Sequence, residues 1–229
     1  MPQQDPSTIF DQKHAAEYDQ RFVKATAIRD ALQLLTAAVL GDLPADARVL
    51  SVGAGTGLEI AYLAQRFPGW RFMAVEPSGP MLAVCRSKME ECGISARCEF
   101  HGGYLDSLPT SEPFDAATSL LVSQFVLDPV ARTEFFRAIA GRLRPGGVLV
   151  AADLAGDTAT ATYQSLFEVW LRVLDVPAEK AEGLRTAYGR DVAVLPADRV
   201  GEIIRAGGFE PPVRFLQTGL IHARYAGRS

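Results

Sequence analysis

Three glycines at alternate positions are the strongest chemical signal in the sequence. Gly53, Gly55 and Gly57 follow an apolar run at 49–52 and come directly before a helix-forming segment. Because glycine has no Cβ atom, such a turn bends tightly and lets a ligand lie directly on the backbone. The start of the following helix offers unpaired N–H groups to ligand oxygens. We therefore predict a ligand-binding strand–turn–helix unit in which Gly53, Ala54, Gly55 and Gly57 contact the ligand.

A carboxylate stands at the end of the next predicted strand. Glu76 lies 23 positions after Gly53, where an acid can accept two hydrogen bonds from the hydroxyls of a ribose. A dinucleotide fingerprint needs a third glycine where this chain has Leu58, and no Gly-Lys-Ser/Thr of a P-loop follows. The pattern therefore favours a ribose and an amino-acid carboxylate over a pyrophosphate. Pro77 and Met81 either contact one face of an adenine or pack at the helix start.

Apolar runs alternate with helical patterns over most of the chain. Strands are predicted at 48–53, 70–76, 96–102, 114–122 and 147–153, with helices at 58–67, 79–92 and about 129–144. This alternation predicts an α/β fold with a Rossmann-like, doubly wound parallel sheet. Residues 9–40 are predicted to be helical. One or two helices at 155–195 interrupt the alternation, and we expect this insertion to cover the substrate side of the site. The last segment, 196–226, predicts a helix and an antiparallel strand pair. We find no linker, so we expect one domain over 1–229 with its cofactor-binding core at 48–153.

Composition narrows the class of protein. Hydrophobic residues make up 48% and charged residues 22%, which suits a globular core, and the net charge of −4 argues against a nucleic-acid partner. No apolar run reaches the ~20 residues that span a bilayer, and the first residues lack the pattern of a signal peptide. Cys85, Cys92 and Cys98 show no metal-site spacing, so we expect reduced thiols, a cytoplasmic protein and no bound metal. The oligomeric state stays open.

The motifs together resemble those of the class I S-adenosylmethionine (SAM)-dependent methyltransferases, over residues 9–226. The resemblance rests on the glycine motif at 49–57, Glu76, Phe114-Asp115 and the phrase at 143–149. It implies a mostly parallel seven-stranded sheet with a reversed last strand. It also implies SAM as cofactor and S-adenosylhomocysteine as product.

The resemblance implies that two regions lie at the cofactor site, the segment after the third strand and the N-terminal segment 10–22. Many members have Gly-Asp after the third strand, whereas this chain has Gly103-Tyr104, whose backbone groups are expected to hold the adenine. The segment 10–22 is similar to an N-terminal helix that lids the site in many members. Tyr18 and Arg21 share a predicted helical face, with Arg21 suited to a ligand carboxylate. The alternative is a loosely packed N-terminal arm.

A further likeness is to the carboxy-SAM synthase subgroup that acts in tRNA wobble-uridine modification. The stretch Ser123-Gln124-Phe125-Val126 and the segment 206–226 are similar to it, and Gln124 becomes a candidate substrate contact. A tyrosine and an asparagine of that subgroup fall near Ile28 and Leu120. The polar contacts to a carboxylated cofactor are thus missing, while Leu120 is retained as a cofactor contact.

The predicted activity is methyl transfer from SAM, by in-line displacement, to an unidentified acceptor that we expect to be a small molecule. No catalytic residue is assigned, because such a displacement depends mainly on proximity and orientation. The alternatives are an RNA methyltransferase or carboxy-SAM enzyme, a nicotinamide-dependent oxidoreductase, and a non-catalytic SAM-binding regulator.

Overall fold

The computed structural model describes residues 23–229, so the predicted lid over 9–22 lies outside the described part of the chain. Within it, a 3-10 turn at Val23–Ala25 leads into seven α-helices. They are α1 Thr26–Val39, α2 Leu58–Arg66, α3 Gly79–Glu91, α4 Pro129–Arg142, α5 Ala161–Val173, α6 Ala178–Arg190 and α7 Ala197–Ala206. Ser78 caps α3, because its hydroxyl accepts a hydrogen bond from the N–H of Met81. Asp128 caps α4 in the same way, and Pro129 occupies the first helical position.

One seven-stranded sheet organises these helices. Its strands are β1 Arg48–Val52, β2 Arg71–Glu76, β3 Cys98–Gly102, β4 Phe114–Leu120, β5 Leu143–Leu154, β6 Val213–Thr218 and β7 Ile221–Gly227. Their order is β3-β2-β1-β4-β5-β7-β6. The first five strands pair in parallel, whereas β7 runs antiparallel between β5 and β6. The predicted doubly wound sheet with its reversed last strand is confirmed.

The start of β5 differs from the prediction. The sequence predicts a helix to about residue 144 and a strand from residue 147, but α4 ends at Arg142 and β5 begins at Leu143, which pairs with Phe114. The register then shifts before Ala116 pairs with Val148, and Gly146 takes a positive φ of 72° inside this irregular stretch. The bulge lets the chain leave α4 and enter the sheet without a connecting loop.

Alternate strand residues face two helical layers. Leu50 and Ala117 lie in the core under α4 and α7, whereas Val49 and Ala116 lie in the core under α1, α2 and α3. Because the first five strands are parallel, their carboxyl ends meet at one edge of the sheet, where ligands of such folds bind.

The interruption at 155–195 forms α5 and α6, as predicted. Their aromatic residues form a core of their own with the ends of β5 and β7, including Tyr163, Phe167 and Trp170. The indole N–H of Trp170 donates to the Tyr188 hydroxyl at 2.8 Å. These rings are therefore used for packing within the insertion.

Candidate cofactor site

The glycine turn and Glu76 are joined directly. The N–H of Gly55 donates to Oε2 of Glu76 at 2.9 Å, and the N–H of Ser78 donates to Oε1 at 2.9 Å. The N–H groups of Gly53 and Ala54 donate to the carbonyl of Val75, which fixes the turn to β2. The carboxylate at the end of β2 thus lies against the turn at the end of β1, as their parallel pairing requires.

The Glu76 carboxylate retains hydrogen-bond acceptor sites for a ligand. Only 7% of the residue is exposed, and burial raises the pKa of the carboxyl, an effect that the N–H donors of Ser78 and Gly55 oppose. An ionised carboxylate has about four lone-pair sites, and backbone donors occupy two of them. The remaining acceptor sites suit a pair of neighbouring hydroxyl groups, such as those of a ribose.

A cavity of about 680 Å³ opens beside this pair. It lies at the carboxyl ends of β1, β2 and β4 and extends past the loop after β3 towards α4. Eight of the predicted residues line it: Gly53, Gly55, Glu76, Pro77, Met81, Gly103, Tyr104 and Leu120. The volume is within the usual range of about 300–1,000 Å³ for small-molecule sites.

The charges around the cavity are mainly negative. Its lining includes three carboxylates, Glu76, Asp106 and Glu134, and one guanidinium, Arg137, which forms an ion pair with Glu134. A site that binds a pyrophosphate needs positive charge or free backbone donors. The lining therefore favours a neutral or cationic ligand over a dinucleotide.

The loop after β3 is fixed by its own hydrogen bonds. The N–H of Gly103 donates to the carbonyl of Glu76 at 3.2 Å, and the Ser107 hydroxyl donates to the carbonyl of Tyr104 at 2.8 Å. His101 bonds to the same hydroxyl at 2.9 Å, so its ring supports the loop and does not line the cavity. The backbone of Gly103 and Tyr104 therefore borders the cavity in a set conformation.

Two predicted cofactor contacts lie away from the cavity lining. Ala54 is bound to Val75 through its N–H and packs against the core under α2. Gly57 has a φ of 79°, and a Cβ atom there would lie 2.6 Å from Sγ of Cys85. This glycine therefore permits the close packing of α2 on α3, a role that the local motif does not reveal.

Of the predicted substrate and lid contacts, only Gln124 lies within the residues that the structure describes. Gln124 is buried away from the cavity, where its side-chain oxygen accepts from the N–H of Leu154 at 2.7 Å and its carbonyl accepts from Ala193. The structure thus gives Gln124 a bracing role between β5 and the end of the insertion. Tyr18 and Arg21 lie outside the described residues, so their lid role stays a prediction.

One wall of the cavity was missed by the sequence reasoning. Ala131, Phe135 and Ala138 lie on one face of α4 and line the cavity together with Phe125 and Val126. The adjacent face of α4 supplies the core residues, including Phe136 and Ile139. The signal was present as a second apolar stripe at helical spacing, which a search for a single buried face overlooks.

A buried ion pair lies behind this wall. Arg132 of α4 is 0% exposed, and its guanidinium lies 2.9 Å from Asp153 of β5, whose side chain is 1% exposed. The Ser123 hydroxyl donates to Asp153 at 2.6 Å and accepts from Nε of Arg132 at 2.9 Å. Arg132 also donates to the carbonyl of Ala193 at 3.1 Å. The pair therefore joins α4, β5 and the segment that returns from the insertion.

A second, half-buried acid supports the glycine turn from below. Glu59, in the first turn of α2, accepts a hydrogen bond from the Thr118 hydroxyl of β4. Burial raises the pKa of Glu59 to about 7, although the hydroxyls of Thr118 and Ser51 act in the opposite direction. The carboxyl therefore links α2 to β1 and β4 immediately after the ligand-binding turn.

Comparison with known proteins finds a family model that matches the middle of the chain. A family profile described as a methyltransferase domain matches residues 49–147, which include the glycine turn, Glu76 and β4. With the sheet order described above, this match supports the resemblance to the class I SAM-dependent methyltransferases over that part of the chain. Within residues 23–229, no group of three or more His, Cys, Asp or Glu side chains could hold a metal, and no helix is long and apolar enough to cross a membrane.

Several O-methyltransferases are similar to this chain. The malonyl-[acyl-carrier protein] O-methyltransferase of Magnetococcus marinus is 29% identical over 117 residues, which cover 51% of this chain and 41% of the relative. The erythromycin 3''-O-methyltransferase of Saccharopolyspora erythraea is 32% identical over 108 residues, or 46% and 34% of the two chains. The chain thus spans less than half the length of either relative.

A solved structure shows the shared fold over most of the chain. The O-methyltransferase family 2 protein from Planctomyces limnophilus, crystallised with apigenin, has a TM-score of 0.61. It is 18% identical, and the match covers 87% of this chain and 61% of that protein.

Proposed function

We propose that the chain binds SAM in the cavity beside Glu76 and transfers its methyl group to a small-molecule acceptor. The observation that carries this proposal is the joined unit of Gly55 and Glu76. It presents a free backbone surface for the ligand, because a Cβ atom on Gly55 would meet only Cε of Met81, at 3.6 Å. It also presents a carboxylate with lone pairs left for two ribose hydroxyls.

The charge of the lining supports SAM over NAD. When bound, SAM supplies a methyl group on a positively charged sulfonium, whereas NAD brings a pyrophosphate. Three carboxylates against one paired guanidinium attract the first and repel the second. A nicotinamide-dependent oxidoreductase is therefore the weaker alternative.

The contribution of this chain to the reaction is to bind, orient and exclude water. Glu76 holds the ribose, while Leu121, Val122 and Phe125 form an apolar wall. Fixing two reactants in line can lower a barrier by about 7–11 kcal/mol without any acid or base. An oxygen atom as methyl acceptor is supported by the similarity to O-methyltransferases named for malonyl-[acyl-carrier protein] and for erythromycin.

Calorimetric titration tests the ligand directly. We expect S-adenosylhomocysteine to bind with a dissociation constant in the micromolar range and NAD to give no binding heat. Tight NAD binding without a signal from S-adenosylhomocysteine would reject the proposal.

The acceptor class needs a second experiment. The protein is incubated with SAM and either a panel of hydroxylated small molecules or bulk tRNA, and products are read by mass spectrometry. We expect a gain of one methyl group on a small molecule. Methylation of tRNA alone would show that the acceptor is RNA.

A further inference from the structure

We propose that Val122 restricts the alkyl group that the site admits on the cofactor sulfur to a methyl group. This inference rests on the proposed function and names a specificity-determining residue in the same cavity. Val122 is the second residue after β4, and its side chain lines the cavity.

The first glycine of the turn fits closely against Val122. A Cβ atom on Gly53 would lie 2.5 Å from Cγ2 and 2.8 Å from Cγ1 of Val122. The same position on Gly55 is open, since it meets only Cε of Met81, at 3.6 Å. The turn is therefore open above Gly55 and closed beside Gly53 by the two methyl groups of Val122.

The order of the strands relates this wall to the ligand. β1 lies between β2 and β4, and the turn after β1 is bonded to Glu76 at the end of β2. In SAM a single carbon atom joins the ribose to the sulfur. A ligand whose ribose is held by Glu76 and whose amino-acid part lies over the turn must therefore place its sulfur over the turn. The wall after β4 is then the next surface on the side away from β2.

An unusual backbone conformation at Leu121 brings Val122 to this position. Leu121 has a φ of 61°, in the left-handed region that a non-glycine residue other than Asn or Asp rarely adopts. This conformation interrupts the alternation of side chains along β4. As a result, Leu120, Leu121 and Val122 all line the cavity.

The wall is held on both sides of Val122. The N–H of Leu121 donates to the carbonyl of Ala152 in β5 at 2.7 Å, and the Ser123 hydroxyl donates to the buried Asp153 at 2.6 Å. The side chain of valine is itself stiff, because branching at Cβ restricts χ1. Val122 therefore cannot move back to admit a larger group.

Methyl and ethyl groups differ in the room that they need beside the sulfur. In an in-line displacement the transferred carbon lies on the line from the sulfur to the acceptor atom. The second carbon of an ethyl group lies off this line, because the bonds at a tetrahedral carbon are not collinear. It needs space beside the line, which a fixed wall removes. One methylene group in such a pocket gives a discrimination of about 10–200-fold.

Calorimetric titration with two sulfonium ligands tests the assignment. S-Adenosylethionine carries an ethyl group where SAM carries the methyl group, and the two are otherwise identical. Because Val122 is partly exposed, we expect the wild type to bind SAM more tightly by about tenfold, the lower end of that range. Equal affinity of the wild type for the two ligands would overturn the proposal.

Val122→Ala is the decisive variant, since it removes both of the methyl groups that form the wall. We expect it to gain affinity for S-adenosylethionine, so that the two ligands bind about equally. Val122→Thr has the shape of valine and should keep the preference of the wild type.

Val126→Ala is the matched control, since it makes the same substitution at another partly exposed valine of the cavity lining. The three atoms nearest to the Cβ position of Gly53 all belong to Val122, so Val126 is not part of this wall. We expect Val126→Ala to keep the preference for SAM.

The outcomes separate this assignment from the proposed function. If the preference persists in Val122→Ala, or is lost in Val122→Thr or Val126→Ala, Val122 is not the selecting residue, while the proposed function stands. A Val122→Ala protein that binds neither ligand would likewise show that Val122 holds the turn and does not select the alkyl group. If the wild type binds neither ligand, the proposed function itself fails and the assignment of Val122 fails with it.

Discussion

The buried pair of Arg132 and Asp153 gives the sharpest prediction on stability. Asp153→Ala leaves the Arg132 guanidinium, which is 0% exposed, without its counter-ion, and the Ser123 hydroxyl without its acceptor. Removing one partner of a buried ion pair costs about 3–5 kcal/mol, because the remaining charge stays desolvated. We expect the upper half of this range. Burial lowers the pKa of the nearby Arg224, and the charges of Asp153 and Asp198 oppose this, so the substitution also removes one of the two acids that compensate Arg224.

Urea unfolding followed by circular dichroism measures this effect. With a slope of about 2–3 kcal/mol per M, the midpoint should fall by about 1.3–2.5 M. The control is Arg199→Ala, which breaks the exposed pair with Glu202 at 2.7 Å and should cost less than about 0.5 kcal/mol. Adding Arg132→Met to Asp153→Ala should restore part of the stability, since it removes the unpaired charge. A midpoint of Asp153→Ala within about 0.3 M of the wild type would refute the reasoning.

Three further predictions concern the turn and its acids. Glu76→Ala should weaken S-adenosylhomocysteine binding by about 1.5–3 kcal/mol in calorimetry, through loss of a charged acceptor; unchanged affinity would place the ribose elsewhere. Gly55→Val should fold yet abolish that binding, and normal binding by this variant would contradict the prediction. Gly57→Ala should lower the free energy of unfolding by about 1–3 kcal/mol, because of its φ of 79° and the contact with Cys85. Normal stability of Gly57→Ala would contradict this. The pKa of Glu59 is raised from 4.5 to about 7 in the folded protein, so between these pH values the native state binds more protons than the unfolded state. The free energy of unfolding should therefore fall as the pH rises from about 4.5 to about 7. Glu59→Gln should lack this fall, and identical pH profiles of the two proteins by urea titration would show that the carboxyl is solvated.

The features that the sequence predicts well are those set by neighbours along the chain. The strand–turn–helix unit and its relation to Glu76 follow from local turn geometry and from the rule that parallel strands end at one edge. The cap at Ser78 and the antiparallel final strands follow in the same way.

The features that it predicts poorly depend on distant partners. The packing of Gly57 is set by Cys85, 28 positions later, and the bracing role of Gln124 is set by Leu154 and Ala193. Arg132 would be assigned to the solvated side of α4 from its residue type, since a single arginine carries no signal that Asp153 will neutralise it. The apolar stripe of α4 that lines the cavity escaped notice because it lies directly beside the stripe that packs into the core, and Phe135 belongs to both.

The position of β7 has a consequence for biosynthesis. Because β7 lies between β5 and β6, the ribosome must release residues 221–227 before β6 can join the sheet at all. Until then β5 is the bare border of a five-stranded intermediate, and its nearly continuous apolar stretch from Leu149 to Leu154 has no neighbour on that side. Such borders pair readily with other chains. The nascent protein should therefore be most prone to aggregation between the synthesis of β5 and that of β7, when the residues that line the ligand cavity have already been made.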